Sequence, residues 1–358
     1  MGYVLASASI SFVIALFFVR QSSNGVLWGS DSDFGGPQKF HDKPVPRLGG
    51  VGILVSLVLS AIYLRWWTAA GVQLGLLVAC GVPAIAFGLA EDITLSVRPR
   101  TRMLAAALSA LLGALLLDAV VVRTDLVLVD AILAWSVISI PLTVFAVAGL
   151  SHSVNIIDGF NGLAAMVCLM MFAAIGYVAF SVGDQFILVT ALCCMGALAG
   201  FFLWNFPLGL IFLGDGGAYF MGFMMAELAV LLVSRHPEVS PWFALLLFFY
   251  PTVETVFSIY RRKVVKGSPI ASPDAWHLHS LIFRRLLHAG RGEGRAHSNP
   301  VTSLYLWVLA SLAVVPAALF WDNTPALLVF CAMFIGVYLW LYQSIVRFRT
   351  PVWLLFLR

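Results

Sequence analysis

The stretch FILVTALCCMGALAGFFLW, from Phe186 to Trp204, runs for 19 residues without a charged side chain. A transmembrane helix needs about 20 mostly apolar residues to cross the hydrocarbon core of a bilayer. Similar stretches recur along the chain and give eleven predicted spans: 3–19, 48–64, 72–90, 103–120, 131–150, 162–182, 186–204, 213–233, 241–260, 301–320 and 325–346. The sequence therefore predicts an all-α polytopic membrane protein, a single bundle of about eleven transmembrane helices with no separate soluble domain.

The composition indicates the same class of protein. Of the 358 residues, 61% are hydrophobic and only 11% are charged, and the mean hydropathy is +0.97. Ordinary soluble domains carry about 25% charged residues. All five cysteines fall within predicted spans and form no CxxC pair, which favours small apolar packing residues over disulfides or a metal site.

The basic residues predict which side of the membrane each loop faces. Arg20 follows the first span, which is expected to remain uncleaved because no basic region precedes its apolar core. Cytoplasmic loops carry the excess of Lys and Arg, so we expect the N-terminus outside and the C-terminus in the cytoplasm. With this orientation, only three of the 21 Lys and Arg residues lie outside the cytoplasmic stretches: Arg65, Arg123 and Arg235. A basic inner face suits anionic lipids and anionic substrates.

Polar residues interrupt the apolar pattern in five stretches, here called the first to fifth motifs. They are PQKFHDKPVPRLGG (37–50), GLAEDITLSVRPRTR (88–102), NIIDGFNGLAA (155–165), FLGDGGAYFMG (212–222) and RRKVVKGSPIASPDAWHLHSLIFRR (261–285). All five fall on the predicted cytoplasmic side. Residues that serve only as turns would occur on both sides, so the one-sided placement favours a single site built from all five motifs.

The residue types in these motifs indicate phosphoryl transfer. Asp92, Asp158 and Asp215, with Glu91 nearby, offer hard oxygen ligands that suit Mg²⁺ or Mn²⁺ better than zinc. The same motifs offer many donors for phosphate oxygens: Arg98, Arg100, Arg102, Arg261, Arg262, Lys263, Lys266, His277 and His279. Acidic metal ligands among an excess of basic residues can balance the charge of a transferring phosphoryl group.

Each signal has a purely structural alternative. Asp92 could cap the fourth predicted helix, and Asp215 could form a tight turn, because aspartate serves well in both roles. The HLH sequence at 277–279 could be solvated, and the arginines could act only as topology signals and lipid anchors. The placement of all five motifs on one side favours the functional interpretation.

The motifs resemble those of the polyprenyl-phosphate N-acetylhexosamine-1-phosphate transferases. KFHDKPVPRLGG is similar to the family's RKxHxxPxPRxGG, GLAED to GLxDD, NIIDGFNGLA to NxxDGxNGLA, and FLGDGGA to FxGDxGS. The stretch from Pro251 to His279 is similar to the P-x-x-D and HLHH region of the family. The resemblance covers about residues 39–285, in the family's order.

The resemblance implies roles for individual residues of this sequence. On the nucleotide side, it implies that Asp215 and Asn155 bind Mg²⁺, with Mn²⁺ as an alternative, and that Phe212 stacks on the uracil of a UDP-sugar. Asn161 and Gly159 would contact the same base, and Asp158 would act in the same loop as a catalytic group.

On the phosphate side, the resemblance places Asp92 near the attacking lipid phosphate, with Glu91 beside it. The expected phosphate or sugar ligands are Arg102, His277, His279, Lys43 and Arg47, and the expected neighbours of the lipid phosphate are Arg261 and Arg262. The ninth span, with Pro251, would form a long bent helix beside a lipid groove. Glu91 and Glu254 stand where the family usually has Asp, and Ser280 interrupts the usual histidine run, which favours a simple UDP-sugar donor over a MurNAc-pentapeptide.

The resemblance therefore implies a reaction and its partners. A phosphate oxygen of undecaprenyl phosphate would attack the β-phosphorus of a UDP-N-acetylhexosamine and expel UMP, without a covalent enzyme intermediate. The enzyme would lie in the bacterial inner membrane with its site facing the cytoplasm. We expect it to contact membrane lipid and to bind no nucleic acid. The sequence does not decide whether it forms a homodimer. The alternatives are a flippase for lipid-linked sugars, which would need polar residues at mid-membrane depth, a phospho-MurNAc-pentapeptide transferase, and an inactive scaffold.

Overall fold

The structure, a computed structural model, describes residues 2–24, 29–31, 44–265, 267, 276–287 and 295–349. Within these ranges nearly all regular structure is helical. The α-helices are α1 Gly2–Ser23, α2 Gly49–Leu64, α3 Ala69–Cys80, α4 Val82–Thr94, α5 Pro99–Leu116, α6 Val127–Leu133, α7 Ser136–Ile157, α8 Leu163–Ser181, α9 Gln185–Asn205, α10 Gly214–Arg235, α11 Pro241–Leu247, α12 Phe249–Tyr260, α13 Leu278–Leu281, α14 Arg295–Leu319 and α15 Thr324–Val346. Two π-helical segments, Arg261–Val265 and Ile282–Leu287, follow α12 and α13, and two short strands, Ser30–Asp31 and Val45–Pro46, pair antiparallel.

The expected all-α, polytopic architecture is confirmed. Seven helices of the described chain are long and apolar enough to cross a membrane, and the number rises to nine if each of two bent helix pairs is one span. The apolar helix α2 has only 16 residues, and α5, which begins at Pro99 with Arg100 and Arg102 in its first turn, is not one of these candidates. Eleven spans, and the orientation in the membrane, stay predictions.

Two of the predicted spans are observed as broken helices. The segment 72–90 is broken between α3 and α4 with a bend of 47°, and the segment 241–260 is broken between α11 and α12 with a bend of 68°. Each break lies just before a proline, Pro83 or Pro251. In a continuous helix the proline ring would clash with the carbonyl four residues earlier, and the proline has no N–H to donate. The bend at Pro251 agrees with the bent helix implied by the resemblance.

The helix that leads into the third motif is also shifted relative to the prediction. The predicted span 131–150 is observed as α7, which begins at Ser136 and continues to Ile157. The polar stretch at its end was expected to be a loop, but the buried apolar side chains of Val154 and Ile157 extend the packed face of the helix. Asn155 therefore projects from the last turn of a helix.

Helix α10 is the centre of the bundle and sets the position of the site. In the most apolar stretch of 18 consecutive residues of α10, 89% of the residues are buried. The helix packs against α4, α7, α2 and α8. Its first turn carries Gly216 and Gly217. A Cβ on Gly88 of α4 would lie 2.5 Å from Gly216, and a Cβ on Gly50 of α2 would lie 2.5 Å from Gly217. Glycine at these positions lets the ends of three helices approach closely, which brings the first, second and fourth motifs together.

Candidate active site

The centre of the candidate site is the carboxylate of Asp215 in the first turn of α10, where the helix dipole favours negative charge. Arg47 Nη2 donates to Asp215 Oδ1 at 3.0 Å, and Asn155 Nδ2 donates to the same oxygen at 2.9 Å. Arg102 forms an ion pair with Asp215 Oδ2. The side chain of Asp215 is only 8% exposed. One buried carboxylate thus joins residues from the first, second, third and fourth motifs.

Asp92, the buried carboxylate of the second motif, holds the start of α10. Its Oδ1 accepts from the backbone N–H of Asp215 and its Oδ2 from that of Gly216, both at 2.9 Å. Arg47 Nε lies 3.2 Å from Oδ1. One structural alternative was that Asp92 caps the fourth predicted helix, and this alternative is wrong. Asp92 instead caps α10, because the first N–H groups of α10, which have no partner within the helix, point at the Asp92 carboxylate. Its expected place beside the lipid phosphate stays a prediction.

The first and fourth motifs are held together by backbone hydrogen bonds. The N–H of Gly49 donates to the carbonyl of Phe212 and that of Gly50 to the carbonyl of Leu213, both at 3.0 Å; Phe212 N–H donates to Pro46 O at 2.9 Å. The half-buried Phe212 therefore sits at the junction of two motifs. The predicted ligand Lys43 lies outside the described residues.

Glu91, the neighbour of Asp92, has a different setting. Its Oε2 accepts from the backbone N–H of Val97 at 2.7 Å and so closes the turn between α4 and α5. This hydrogen bond gives the carboxylate at position 91 a structural role in the turn. A catalytic role for Glu91 stays a prediction.

The third motif contributes a second carboxylate. Asp158 follows the last turn of α7 and is half-buried. Burial raises the pKa of the Asp158 carboxyl to about 7, although the positive charge of Arg47 acts in the opposite direction. A carboxyl group that titrates near neutral pH can exchange a proton under working conditions.

Two other residues of the third motif contact neighbouring loops. A Cβ on Gly159 would lie 3.3 Å from Nε2 of His279, so the loop backbone touches the fifth motif. Asn161 is buried, and its Nδ2 donates to the carbonyl of Pro207 at 3.0 Å. The observed contact of Asn161 is with protein backbone, and its expected contact with the base stays a prediction.

The fifth motif forms a histidine cluster oriented by Glu254 of α12. Glu254 Oε1 accepts from the backbone N–H of Leu278 at 3.1 Å and lies 2.9 Å from His277 Nδ1, while Oε2 accepts from Tyr338 at 2.9 Å. Arg262 Nη2 lies 3.1 Å from His277 Nε2. The rings of His277 and His279 stack with their centroids 5.2 Å apart. Both histidines are buried.

The structure separates the two arginines that were expected near the lipid phosphate. Arg262 contacts His277, whereas Arg261 is buried and donates from Nη1 to the Trp276 carbonyl at 2.6 Å and to Tyr342 Oη at 2.8 Å. Arg261 thus ties the fifth motif to α15. Among the described residues, the contact with His277 is made by Arg262.

The sequence of the chain is similar to those of known proteins over this region. The family model for glycosyl transferase family 4 matches residues 74–233. The chain is 27% identical over 278 residues to the probable undecaprenyl-phosphate N-acetylglucosaminyl 1-phosphate transferase of Bacillus subtilis, covering 75% of this chain and 72% of that protein. These matches relate the chain to glycosyl transferase family 4, whose model covers less than half of its length.

Two further relatives extend the comparison across the family. The decaprenyl-phosphate N-acetylglucosaminephosphotransferase of Mycolicibacterium smegmatis is 28% identical, with 75% of this chain and 70% of that protein covered. The phospho-N-acetylmuramoyl-pentapeptide-transferase of Streptococcus thermophilus is 30% identical, but over 47% of this chain and 49% of that protein. The family match spans α3 to α10 and includes Asp92, Arg102, Asn155 and Asp215.

Sequence reasoning missed three polar residues near this site. Tyr338, the partner of Glu254, lies on α15 beyond the last motif. His152 and Tyr219 form a pair between α7 and α10, with His152 Nδ1 and Tyr219 Oη 2.8 Å apart. The only signal for this pair is helical spacing: His152 precedes Asn155 by three residues and Tyr219 follows Asp215 by four.

The donor set at Asp215 can be tested against the expected Mg²⁺. The described residues contain no group of three or more His, Cys, Asp or Glu side chains placed to hold a metal. Asp215 and Asn155 supply one carboxylate and one amide, both with hard oxygen donors. Mg²⁺ is commonly bound by one or two carboxylates together with substrate phosphates and water. The residues therefore fit a magnesium ion only if a substrate diphosphate and water would supply the remaining ligands.

Proposed function

We propose that this protein transfers an N-acetylhexosamine 1-phosphate from its UDP-activated form to undecaprenyl phosphate and releases UMP. The observation that carries the proposal is the convergence of Arg47, Arg102 and Asn155 on the carboxylate of Asp215. Named relatives that act on undecaprenyl or decaprenyl phosphate support this substrate class.

The site has the charges that such a reaction needs. The lipid phosphate and the sugar diphosphate are both anions, so their approach requires positive charge. Arg47 and Arg102 supply it beside Asp215, and Arg262 supplies it beside His277. Asp92 fixes the first turn of α10, and with it the position of Asp215, by accepting two backbone hydrogen bonds.

Asp215 and Asn155 would hold Mg²⁺, with Mn²⁺ as an alternative, and a bound ion would neutralise charge on the diphosphate. Because both oxygens of Asp92 accept from backbone, we assign any remaining proton of the lipid phosphate to Asp158. A new bond joins the lipid phosphate oxygen to the β-phosphorus, and the bond between the β-phosphorus and the bridging oxygen breaks. UMP leaves with that oxygen and its electron pair, and the sugar–oxygen bond is unchanged.

The proposal is tested by a UMP-release assay with purified protein, undecaprenyl phosphate and a panel of UDP-N-acetylhexosamines. We expect release that requires both the lipid and a divalent cation. Labelled UMP should enter the UDP-sugar pool only when the lipid is present, since no covalent sugar-phosphate enzyme forms. Absence of release with every donor would overturn the proposal, and exchange without lipid would overturn single displacement.

We also propose that the protein lies in a bacterial cytoplasmic membrane with the site on the cytoplasmic face. The concentration of Lys and Arg in the predicted cytoplasmic stretches supports this orientation. Single cysteines at the exposed positions Ser96 and Asn323, in a background without the five native cysteines, test it. An impermeant thiol reagent added to intact cells should label the cysteine at position 323 and spare that at position 96. The reverse pattern would place the site outside.

A phospho-MurNAc-pentapeptide transferase is a second candidate, favoured by the relative from Streptococcus thermophilus. UDP-MurNAc-pentapeptide included in the same assay discriminates the two. A flippase for lipid-linked sugars would release no UMP at all.

A further inference from the structure

A histidine–tyrosine pair lies directly beneath the Asp215–Asn155 pair, on the same two helices. His152 is one turn before Asn155 on α7, and Tyr219 is one turn after Asp215 on α10. Their hydrogen bond joins His152 Nδ1 and Tyr219 Oη at 2.8 Å. Tyr219 is 1% exposed, whereas His152 is only half-buried. The pair therefore has an enclosed tyrosine end and an accessible histidine end.

The second ring nitrogen of His152 is available to a ligand. Within the described part of the chain, Nε2 has no hydrogen-bond partner and is not among the fully buried polar atoms without one. The buried hydroxyl of Tyr219 needs a partner, and when it donates to Nδ1 the ring proton resides on Nε2. His152 then presents an N–H donor outward. A histidine that served only to satisfy the core would not leave this nitrogen accessible.

The charges around the His152 ring favour an anion at that position. Arg102 and Arg262 both lie within electrostatic range of the ring. Arg102 is paired with Asp215, and Arg262 contacts His277. His152 therefore lies within the electrostatic range of one cation of the second motif and one of the fifth. An N–H donor in the field of two guanidinium groups is suited to a phosphate oxygen.

We propose that His152 is a phosphate-binding residue: its Nε2–H donates a hydrogen bond to a phosphate oxygen of a substrate, and Tyr219 fixes the ring in the required tautomer. The inference rests on the proposed function and adds a substrate contact to it. The phosphate belongs either to the lipid or to the sugar diphosphate. The Michaelis constants for the two substrates distinguish these sources. If His152 binds the lipid phosphate, its substitution should change mainly the Michaelis constant for undecaprenyl phosphate; if it binds the diphosphate, the substitution should change mainly that for the UDP-sugar.

Two amide substitutions separate substrate binding from a structural role. The amide of His152→Gln reaches the position of Nε2 and can donate to the phosphate, whereas the amide of His152→Asn reaches only the position of Nδ1 and keeps the contact with Tyr219. We expect His152→Gln to keep most of the wild-type rate. His152→Asn should lose roughly 10- to 100-fold in kcat/KM, the range for loss of a hydrogen bond to a charged group.

The measurements are UMP release at varied concentrations of each substrate, with thermal unfolding in detergent to establish that each variant is folded. His236→Asn, a half-buried histidine at the opposite end of α10, is the matched control and should turn over like wild type. Asn performing better than Gln, or equal activity of the two variants, would overturn the inference. A wild-type protein that releases no UMP would instead overturn the proposed function.

Discussion

The two ends of α10 use the same kinds of charged residues in different ways. At its start, Asp215 and Asp92 are buried, and they share Arg47 while Arg102 pairs with Asp215. At its far end, Arg235 and His236 pair with Asp184, 3.6 and 3.2 Å away. Asp184 also accepts from the N–H of Ile187 and so caps α9.

The difference lies in what the charges hold. At the far end each group ties a loop: Arg123 Nη2, for instance, donates to the Val239 carbonyl at 2.5 Å, and its pair with Asp125 is about a quarter exposed. At the start of α10, residues from four motifs converge on one buried carboxylate, and cations accumulate there. A solvated pair contributes little energy, whereas a buried, shared carboxylate can organise a site. Neither residue type nor burial of the carboxylate distinguishes the two ends, since the side chains of Asp184 and Asp215 are 9% and 8% exposed; the convergence of four motifs does.

The largest effect is expected for Asp215→Asn. Asparagine keeps the size of the side chain and serves well at helix starts, but it removes the negative charge that pairs with Arg47 and Arg102 and would hold Mg²⁺. Loss of a key electrostatic group typically lowers the rate by about 10²–10³. We expect UMP release at least about a hundredfold slower, measured on protein whose folding is verified by thermal unfolding.

The matched control is Asp184→Asn at the far end, where asparagine can also cap α9. Its rate should stay close to wild type. Near-normal turnover by Asp215→Asn at low Mg²⁺ would remove the metal site from the proposal. Equal losses in the two variants would show that the two ends do not differ as described.

The next effect concerns Glu254, which holds the histidine cluster. Glu254→Gln removes the charge that faces His277 Nδ1 while keeping the shape of the side chain. Loss of a hydrogen bond to a charged group corresponds to roughly 10- to 100-fold in rate. We expect kcat/KM for UMP release to fall within that range. Tyr338→Phe removes only one neutral donor to Glu254 and should cost less; a larger loss for Tyr338→Phe would contradict the proposed orientation of His277.

The sequence could predict much of this site because its motifs are local. Asp92, Asn155 and Asp215 each stand in a short run of polar residues within an apolar chain, and one-sided placement indicates that such runs converge. The partner of Asp92 could not be predicted, because the N–H of Asp215 is 123 residues away along the chain. His152 and Tyr338 lie inside apolar helical segments, and only the packing of α7, α10 and α15 shows what they contact.

The membrane architecture, like the site, could be predicted in part from the sequence. Long apolar runs identify helices, and the proline positions explain why two of them break. The predicted spans did not show that Asn155 belongs to the last turn of α7, since polar residues at a helix end resemble a loop in composition. Close approach at Gly50 and Gly88 depends on which helices become neighbours, and a single sequence does not specify that.

The pH dependence of the reaction gives a further test. Asp158 has a pKa of about 7 because of burial, so below pH 7 it is increasingly protonated and cannot accept a proton. We expect the rate of wild-type protein to fall on the acid side of pH 7, and Asp158→Asn to lose that limb and to be slower at higher pH. The effect on stability has the opposite direction: a raised folded pKa favours the protonated form, so this group's contribution to the free energy of unfolding is present at acid pH and is lost as pH rises through 7. An unchanged acid limb in Asp158→Asn would assign the titration to another group.

The smallest effect on activity is expected for Glu227, a carboxyl group between the two ends of α10. It is fully buried, a Cβ on Gly113 would lie 2.6 Å from its carboxylate, and neither oxygen has a hydrogen-bond partner among the described residues. A buried polar group without partners costs about 1–3 kcal/mol. Glu227→Met, similar in length and apolar, should therefore leave UMP release unchanged and raise the midpoint of thermal unfolding. The same substitution at Glu254, whose oxygens accept from Leu278 and Tyr338, should lower the midpoint, because those donors lose their acceptor. If Glu227→Met instead abolished turnover, the middle of α10 would carry function as well, since ionisable groups inside membranes often do, and the contrast would no longer lie between its two ends.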